Sequence, residues 1–375
     1  MTYPTYPFGY LYPNEFADPL VWLPTLFAYS LLISGADLLV LALAAYLFGR
    51  LKKAIPLLLT LGLAFFTVVL LGPLADLRNP DRALLLFSHA QISPTEAHPG
   101  VSLIALMGGV IWPLAWVLAA LFTLLYFSYP MHVKYMATRN PLYRVLSLGV
   151  STPERYKALR PLLKVLAALA LIPLALWAVY PATLFVMQTN LFIWRNWTLL
   201  PAIYFADTFV TATAAAILAA WIIGRNKLQQ LEAPSLITIH GAGSVAVAAL
   251  LLIQIWLWLN KFGGSPFYAS LAPVVDWSYV AIGLFLLTFA LSLIASRYLA
   301  ASLVIPFTGF AAAIFNKWNI IVRAQAGMRS GLTFLEPGAE YYVPEVPVVV
   351  AIIAAGVFLA IVLASIFPLE VRNHD

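Results

Sequence analysis

Two carboxylates stand inside long apolar runs, and charge at bilayer depth costs enough to make each a functional candidate by default. Asp37 lies in LLISGADLLV and Asp207 in IYFADTFVTATA. Ser30, Ser34 and Asp37 are spaced by four and three, so a helix puts them on one face. Tyr204, Asp207, Thr208 and Thr211 make a similar polar stripe. A carboxylate so placed can relay a proton or hydrogen-bond a bound polar headgroup. The plainer role is a hydrogen bond between helices, since polar side chains often hold membrane helices together.

Other chemistry finds little support in the residues. The chain has no cysteine, which excludes disulfides, thiolate zinc sites and iron–sulfur ligation within it. Of the five histidines, only His240 falls in an apolar run, near its inner end. A haem held between two intramembrane imidazoles is therefore not expected. His89 and His98 lie nine apart without further ligands nearby, so no metal site is expected either. No P-loop, G-x-S-x-G or H-E-x-x-H motif occurs, which leaves no signature of ATP hydrolysis, serine hydrolysis or zinc proteolysis. The net charge of +6 is not a nucleic-acid signature; its meaning depends on the membrane side that holds the basic residues.

The elements that must position these side chains follow from composition. Of 375 residues, 63% are apolar and 10% charged, too few charges to cover a water-facing surface. The pattern predicts an all-α polytopic membrane protein, a single transmembrane domain over residues 1–375. Runs near 22–48, 55–75, 100–128, 165–187, 199–223, 234–260, 278–297, 299–321 and 347–367 are each long enough to span. That is about nine spans, or eight to ten depending on how the ends are drawn. The runs are continuous, not alternating, which excludes a β-barrel.

Residues 1–21 carry Glu15 and Asp18 and no basic residue, while Arg50, Lys52 and Lys53 follow the first span. This flank pattern predicts an N-terminus outside. Most basic residues then fall inside, densest in the loop 129–164 with Lys134, Arg139, Arg144, Arg155, Lys157, Arg160 and Lys164. Arg78, Arg82, Arg195, Lys261, Lys317, Arg323 and Arg329 fall outside. Long outer segments are expected at 76–99, 261–277 and 322–346. Ser151, Thr152, Pro153 and Glu154 read as a helix start, running on through YKALRPLLK into the fourth span. No internal repeat of 20–50 residues is visible, and Gly35 beside Asp37 has no counterpart in a second half.

Three stretches carry a resemblance. ADLRNPDRALLLFSHAQISP at 75–94 resembles the D-L-G-R-P-x-R-F segment of the NrfD/PsrC family, the membrane subunits of bacterial and archaeal molybdopterin and iron–sulfur oxidoreductases such as polysulfide reductase. FIWRNWTLLPAIYFADTFVTATA at 192–214 resembles that family's aromatic–Arg–Asn loop and the span that follows it. FNKWNIIVRAQAG at 315–327 is similar to its R-W-N-V-V-I-x-G-Q stretch. The resemblance implies a multi-pass subunit of the cytoplasmic membrane of a bacterium or archaeon, with no haem, iron–sulfur cluster or metal of its own. It would dock a ferredoxin-like iron–sulfur subunit and a molybdopterin catalytic subunit on the outer face and bind menaquinone or a related quinone near that face. No nucleic acid is implied. Quinone contacts would then come from Tyr29, Ser30, His89, Gln91 and Tyr204, which supply the donors that quinone carbonyls need. Asp37 and Asp207 would transfer protons. Arg78 and Arg82 would contact either the partner or lipid phosphate. Two further classes stay open at this point: a proton-coupled secondary transporter and a purely structural anchor.

Overall fold

The computed structural model describes residues 22–76, 83, 85–88, 92–94, 100–188, 191–224, 231–295, 302–327, 334 and 338–369. Eight helices are long and apolar enough to cross a membrane: α1 Leu23–Phe48, α2 Ile55–Asp76, α3 Leu103–Thr138, α4 Arg160–Met187, α5 Leu200–Ile223, α6 Ala233–Phe262, α7 Tyr268–Ala295 and α9 Ala339–Ile366. Between the last two lies α8, Val304–Trp318, which continues through a π-helical turn, Asn319–Arg323, to Ala324–Ala326. It is long enough to span, but Asn316, Lys317 and Asn319 make it less apolar. In lipid every backbone group must find its partner within the chain, which is why these runs are helices. Their hydroxyls follow the same rule: Thr60, Thr123, Thr213, Ser244 and Ser292 each donate to the carbonyl four residues back.

The described spans form two four-helix groups. α1 packs on α2 and α4, and α3 closes the ring between them; α5 packs on α6 and α8, and α7 closes that ring. The same ring order thus occurs twice along the chain, a repetition that the sequence did not display. α5 also packs on α1, α4 and α2 and so joins the two groups, while α9 lies mainly against α2. The α1–α2 crossing is close because glycine faces glycine. A Cβ on Gly35 would sit 2.8 Å from the Gly62 carbonyl oxygen and 2.9 Å from Phe65 Cβ.

One end of the bundle is basic. There the backbone N–H of Lys53 donates to Glu232 at 2.9 Å, and Lys134 donates to the carbonyls of Ser365 and Ile366, both at 3.0 Å, at the C-terminus of α9. At the opposite end the backbone N–H of Thr25 donates to Asp76 at 3.0 Å. The helix start expected in the basic loop is present: Thr152 caps Pro153–Ala158 by accepting from the Arg155 N–H, and α4 follows at once. The Glu154 carboxylate is held below its usual range by its own backbone N–H and by the Thr152 hydroxyl.

Three expectations need correction. α3 runs ten residues further than drawn, into the basic loop. The outer segment expected at 261–277 is largely helix, because α7 begins at Tyr268 and carries Pro273 inside it; a proline within a membrane helix is tolerated when neighbours satisfy the freed backbone groups. Lys317 and Arg323, expected outside, are buried in the bundle.

Candidate functional site

The polar centre of the molecule lies where the two groups meet. Lys317 Nζ stands 2.8 Å from Asp207 Oδ2, and both side chains are wholly buried. The same oxygen accepts from Asn316 Nδ2 at 2.6 Å. Lys317 Nζ also lies 4.2 Å from the centre of the Tyr204 ring, where the negative face of the ring favours a cation. α5 brings Tyr204, Asp207 and Thr208 to this point, and α8 brings Asn316 and Lys317. From α1 come Asp37, beside Thr208 and under the field of Lys317 and Asp207, and Tyr29 and Ser30 towards the Asp76 end.

A buried ion pair must recover a desolvation cost of several kcal/mol per ion, and does so only with good geometry and further hydrogen bonds. Here the recovery is incomplete. Asp207 Oδ1, Asn316 Oδ1, Tyr204 OH, Ser30 Oγ and both Asp37 carboxylate oxygens are buried and make no hydrogen bond of normal geometry among the described residues. Thr208 approaches Asp37 without reaching that geometry. So many orphaned polar atoms at one place would be expensive in a purely structural core, whereas a polar ligand or water would use them.

Two of the three π-helical turns among the described residues lie at this place, the third being Met107–Ile111 in α3. Ala28–Leu32, which holds Tyr29 and Ser30, is a π-helical turn, and so is Asn319–Arg323, which follows Lys317 directly. Such turns recur at functional sites because they free a carbonyl and re-aim side chains. The second is tied down on two sides. Trp194 Nε1 donates to the Ile320 carbonyl at 2.7 Å, and Asn319 Nδ2 donates to the Val274 carbonyl at 2.9 Å and to Ser278 Oγ at 3.0 Å.

The structure brings together five of the residues singled out in the sequence: Tyr29, Ser30, Asp37, Tyr204 and Asp207. All are buried. His89, Gln91, Arg78 and Arg82 lie outside the described residues. Sequence reasoning missed Asn316 and Lys317, although both fall within the eighth apolar run. It also missed Tyr180, which lies close enough to Tyr29 to act on it electrostatically. A lipid-facing cleft of about 280 Å³ between α9 and α2, α5 and α8 is a separate feature. Leu31, Phe65, Ala215, Leu218, Phe310 and Ala360 line it in the basic half, and no charged or hydroxyl side chain does.

Fold and site together define a multi-pass, all-helical integral membrane protein with a charged centre sealed between two four-helix groups. No family model matches the chain. It is 43% identical over 371 residues to the C subunit of tetrathionate reductase from Archaeoglobus fulgidus, and the match covers 98% of each chain. The chain belongs to the family of that tetrathionate reductase protein. That relative is, by its name, one subunit of a reductase.

Proposed function

We propose that this chain is the quinone-reactive subunit of a tetrathionate-reductase-type complex. It exchanges electrons between a menaquinone-type pool and an iron–sulfur partner, which connects in turn to a molybdopterin catalytic subunit. The observation that carries this reading is the buried centre of orphaned polar atoms around Lys317 and Asp207, in a chain whose relative is a reductase subunit. A chain without cysteine must take its redox chemistry from a bound molecule and from a partner. A quinol supplies two electrons and two protons when bound.

The chain's residues then have distinct roles. Tyr204 OH and Ser30 Oγ are hydroxyls that can donate to or accept from a quinone oxygen, with Tyr29 beside them. Asp207 Oδ1 is free to take a proton while Lys317 and Asn316 hold the other oxygen. Asp37, deeper in the seam, is a second acceptor. His89 and Gln91 complete the proposed binding set, and Arg78 and Arg82 meet the partner or lipid phosphate. The outer face, where the N-terminus is proposed to lie, is the docking side.

Two measurements on the purified complex test this. Solvent extraction should recover a menaquinone-type molecule in stoichiometric amount, and a reduced soluble quinone analogue should drive tetrathionate reduction. No bound quinone together with no quinol-dependent turnover would overturn the reading.

A further inference from the structure

The interior of the second group, α5–α8, is polar well beyond the ion pair. Below Asp207 on α5 stand Thr208, Thr211 and Thr213, all buried. The Thr211 hydroxyl donates to the Asp207 carbonyl at 3.2 Å. Thr213 Oγ1 lies 2.8 Å from His240 Nδ1 on α6. His240 is wholly buried, and its Nε2 has no hydrogen-bond partner among the described residues. That nitrogen points at Gly309 of α8, where a Cβ would come within 2.6 Å of His240 Cε1 and 2.7 Å of Nε2. Only a glycine there lets the ring pack this close to α8. Ser292 of α7 packs against the next residue, Gly241, and Ser244 donates to the His240 carbonyl at 2.9 Å.

A neutral imidazole in an apolar core normally has both nitrogens satisfied or is replaced by a residue without them. This one has one nitrogen fixed and the other against the Gly309 backbone, with no hydrogen-bond partner among the described residues. Its partner Thr213 stands six residues beyond Asp207 on α5, about 9 Å at 1.5 Å per residue. The Thr211 hydroxyl stands between them on α5. At the far side of the ion pair, Asn319 and Ser278 continue the polar line, and at the basic end Trp221 Nε1 donates to Ser302 Oγ at 2.7 Å. The first group offers no buried histidine, lysine or carboxylate among the described residues, apart from Asp37 at the seam.

We propose that His240 is a proton-carrying station and that the interior of α5–α8 is a proton path linking the Lys317–Asp207 pair to the basic end. This extends the proposed function and rests on it only for what the path serves. Each transfer moves one proton and no electron. A proton reaching Asp207 neutralises its carboxylate and releases Lys317 from the pair. A proton that leaves for His240 is taken up by Nε2, which makes the ring an imidazolium, and its onward loss to water at the basic end restores the neutral ring.

The test needs no quinone. The whole complex is reconstituted into vesicles that enclose a pH dye, and a potassium diffusion potential set by valinomycin drives protons inward. The unsubstituted complex should conduct above empty vesicles. His240→Gln should lower that flux about tenfold, the scale on which a positioned proton carrier acts. Gly309→Ala, whose Cβ would press on Cε1 and Nε2 and displace the ring while keeping the imidazole, should lower it partly. Equal flux in all three complexes, or flux no greater than in empty vesicles, overturns the proposal. Quinol-driven turnover measured on the same vesicles separates the two readings. Flux that depends on His240 without turnover would sink the quinone assignment alone, and turnover with flux indifferent to both variants would sink the path alone.

Discussion

At the scale of residues, the informative object is the Lys317–Asp207 pair. Removing one partner leaves a bare charge in the bundle, and such deletions cost about 3–5 kcal/mol, whereas removing both partners together is often near neutral. Asp207→Asn and Lys317→Met should therefore each lower the melting temperature of the purified complex strongly, and the double variant should recover most of the loss. If the site reacts with quinol, the double variant will be stable yet slow; stable complexes with undiminished quinol turnover would return the pair to a structural role. Asp207 was legible in the sequence because a carboxylate in an apolar run is conspicuous. Lys317 was not, because it stands near the drawn end of its run and long basic side chains usually reach out to the interface from such positions. What decides otherwise is the continuation of α8 through the π-helical turn to Ala326. That continuation places Lys317 well below the end of the helix, and no local pattern announces it. The serine and threonine stripes fared better: Ser30, Ser34, Thr208 and Thr211 are all buried.

At the scale of elements, apolar length alone predicted nearly every span, since lipid leaves the backbone no alternative to the helix. The exceptions have local causes. The segment 261–277 was expected as an outer loop, yet α7 starts at Tyr268 and absorbs Pro273. The cap at Thr152 was legible because capping is a short-range hydrogen bond. The contacts between helices were not legible, because an apolar side chain looks the same whether it faces lipid or a neighbour. Gly35 is the sharpest case: the sequence reading gave it no packing role, yet α2 lies against it. Gly35→Val would drive side-chain atoms into Gly62 and Phe65, and overpacking of this kind costs about 1–3 kcal/mol. Lower yield and a lower melting temperature of the complex are expected. Gly283→Ala is the matched control, since a Cβ there meets no atom of the described residues within 4 Å, and it should melt like the unsubstituted chain. Equal behaviour of the two variants would mean that the α1–α2 crossing is looser than its geometry indicates.

At the scale of the whole molecule, the repeated ring order puts the site at a seam, and the distribution of charge sets which side of the membrane each end of that seam faces. The basic end gathers Arg50, Lys52 and Lys53, the loop from Arg139 to Lys164, and the Lys134 contact to the end of α9. Basic residues are retained on the cytoplasmic side during insertion, so the Asp76 end, with Tyr29, should face outward. Burial of Lys317 and Arg323 strengthens this, because two charges assigned to the outer side leave the count of exposed loop charges. A chain with no cysteine makes the orientation directly measurable. Lys157→Cys, on the exposed basic loop, should react with a membrane-impermeant maleimide only after cells are permeabilised, and Glu340→Cys, exposed at the other end, should react in intact cells. Labelling of Lys157→Cys in intact cells would invert the molecule. The docking side for the partner would invert with it, and the proton path from His240 would then open outward instead of toward the cytoplasm.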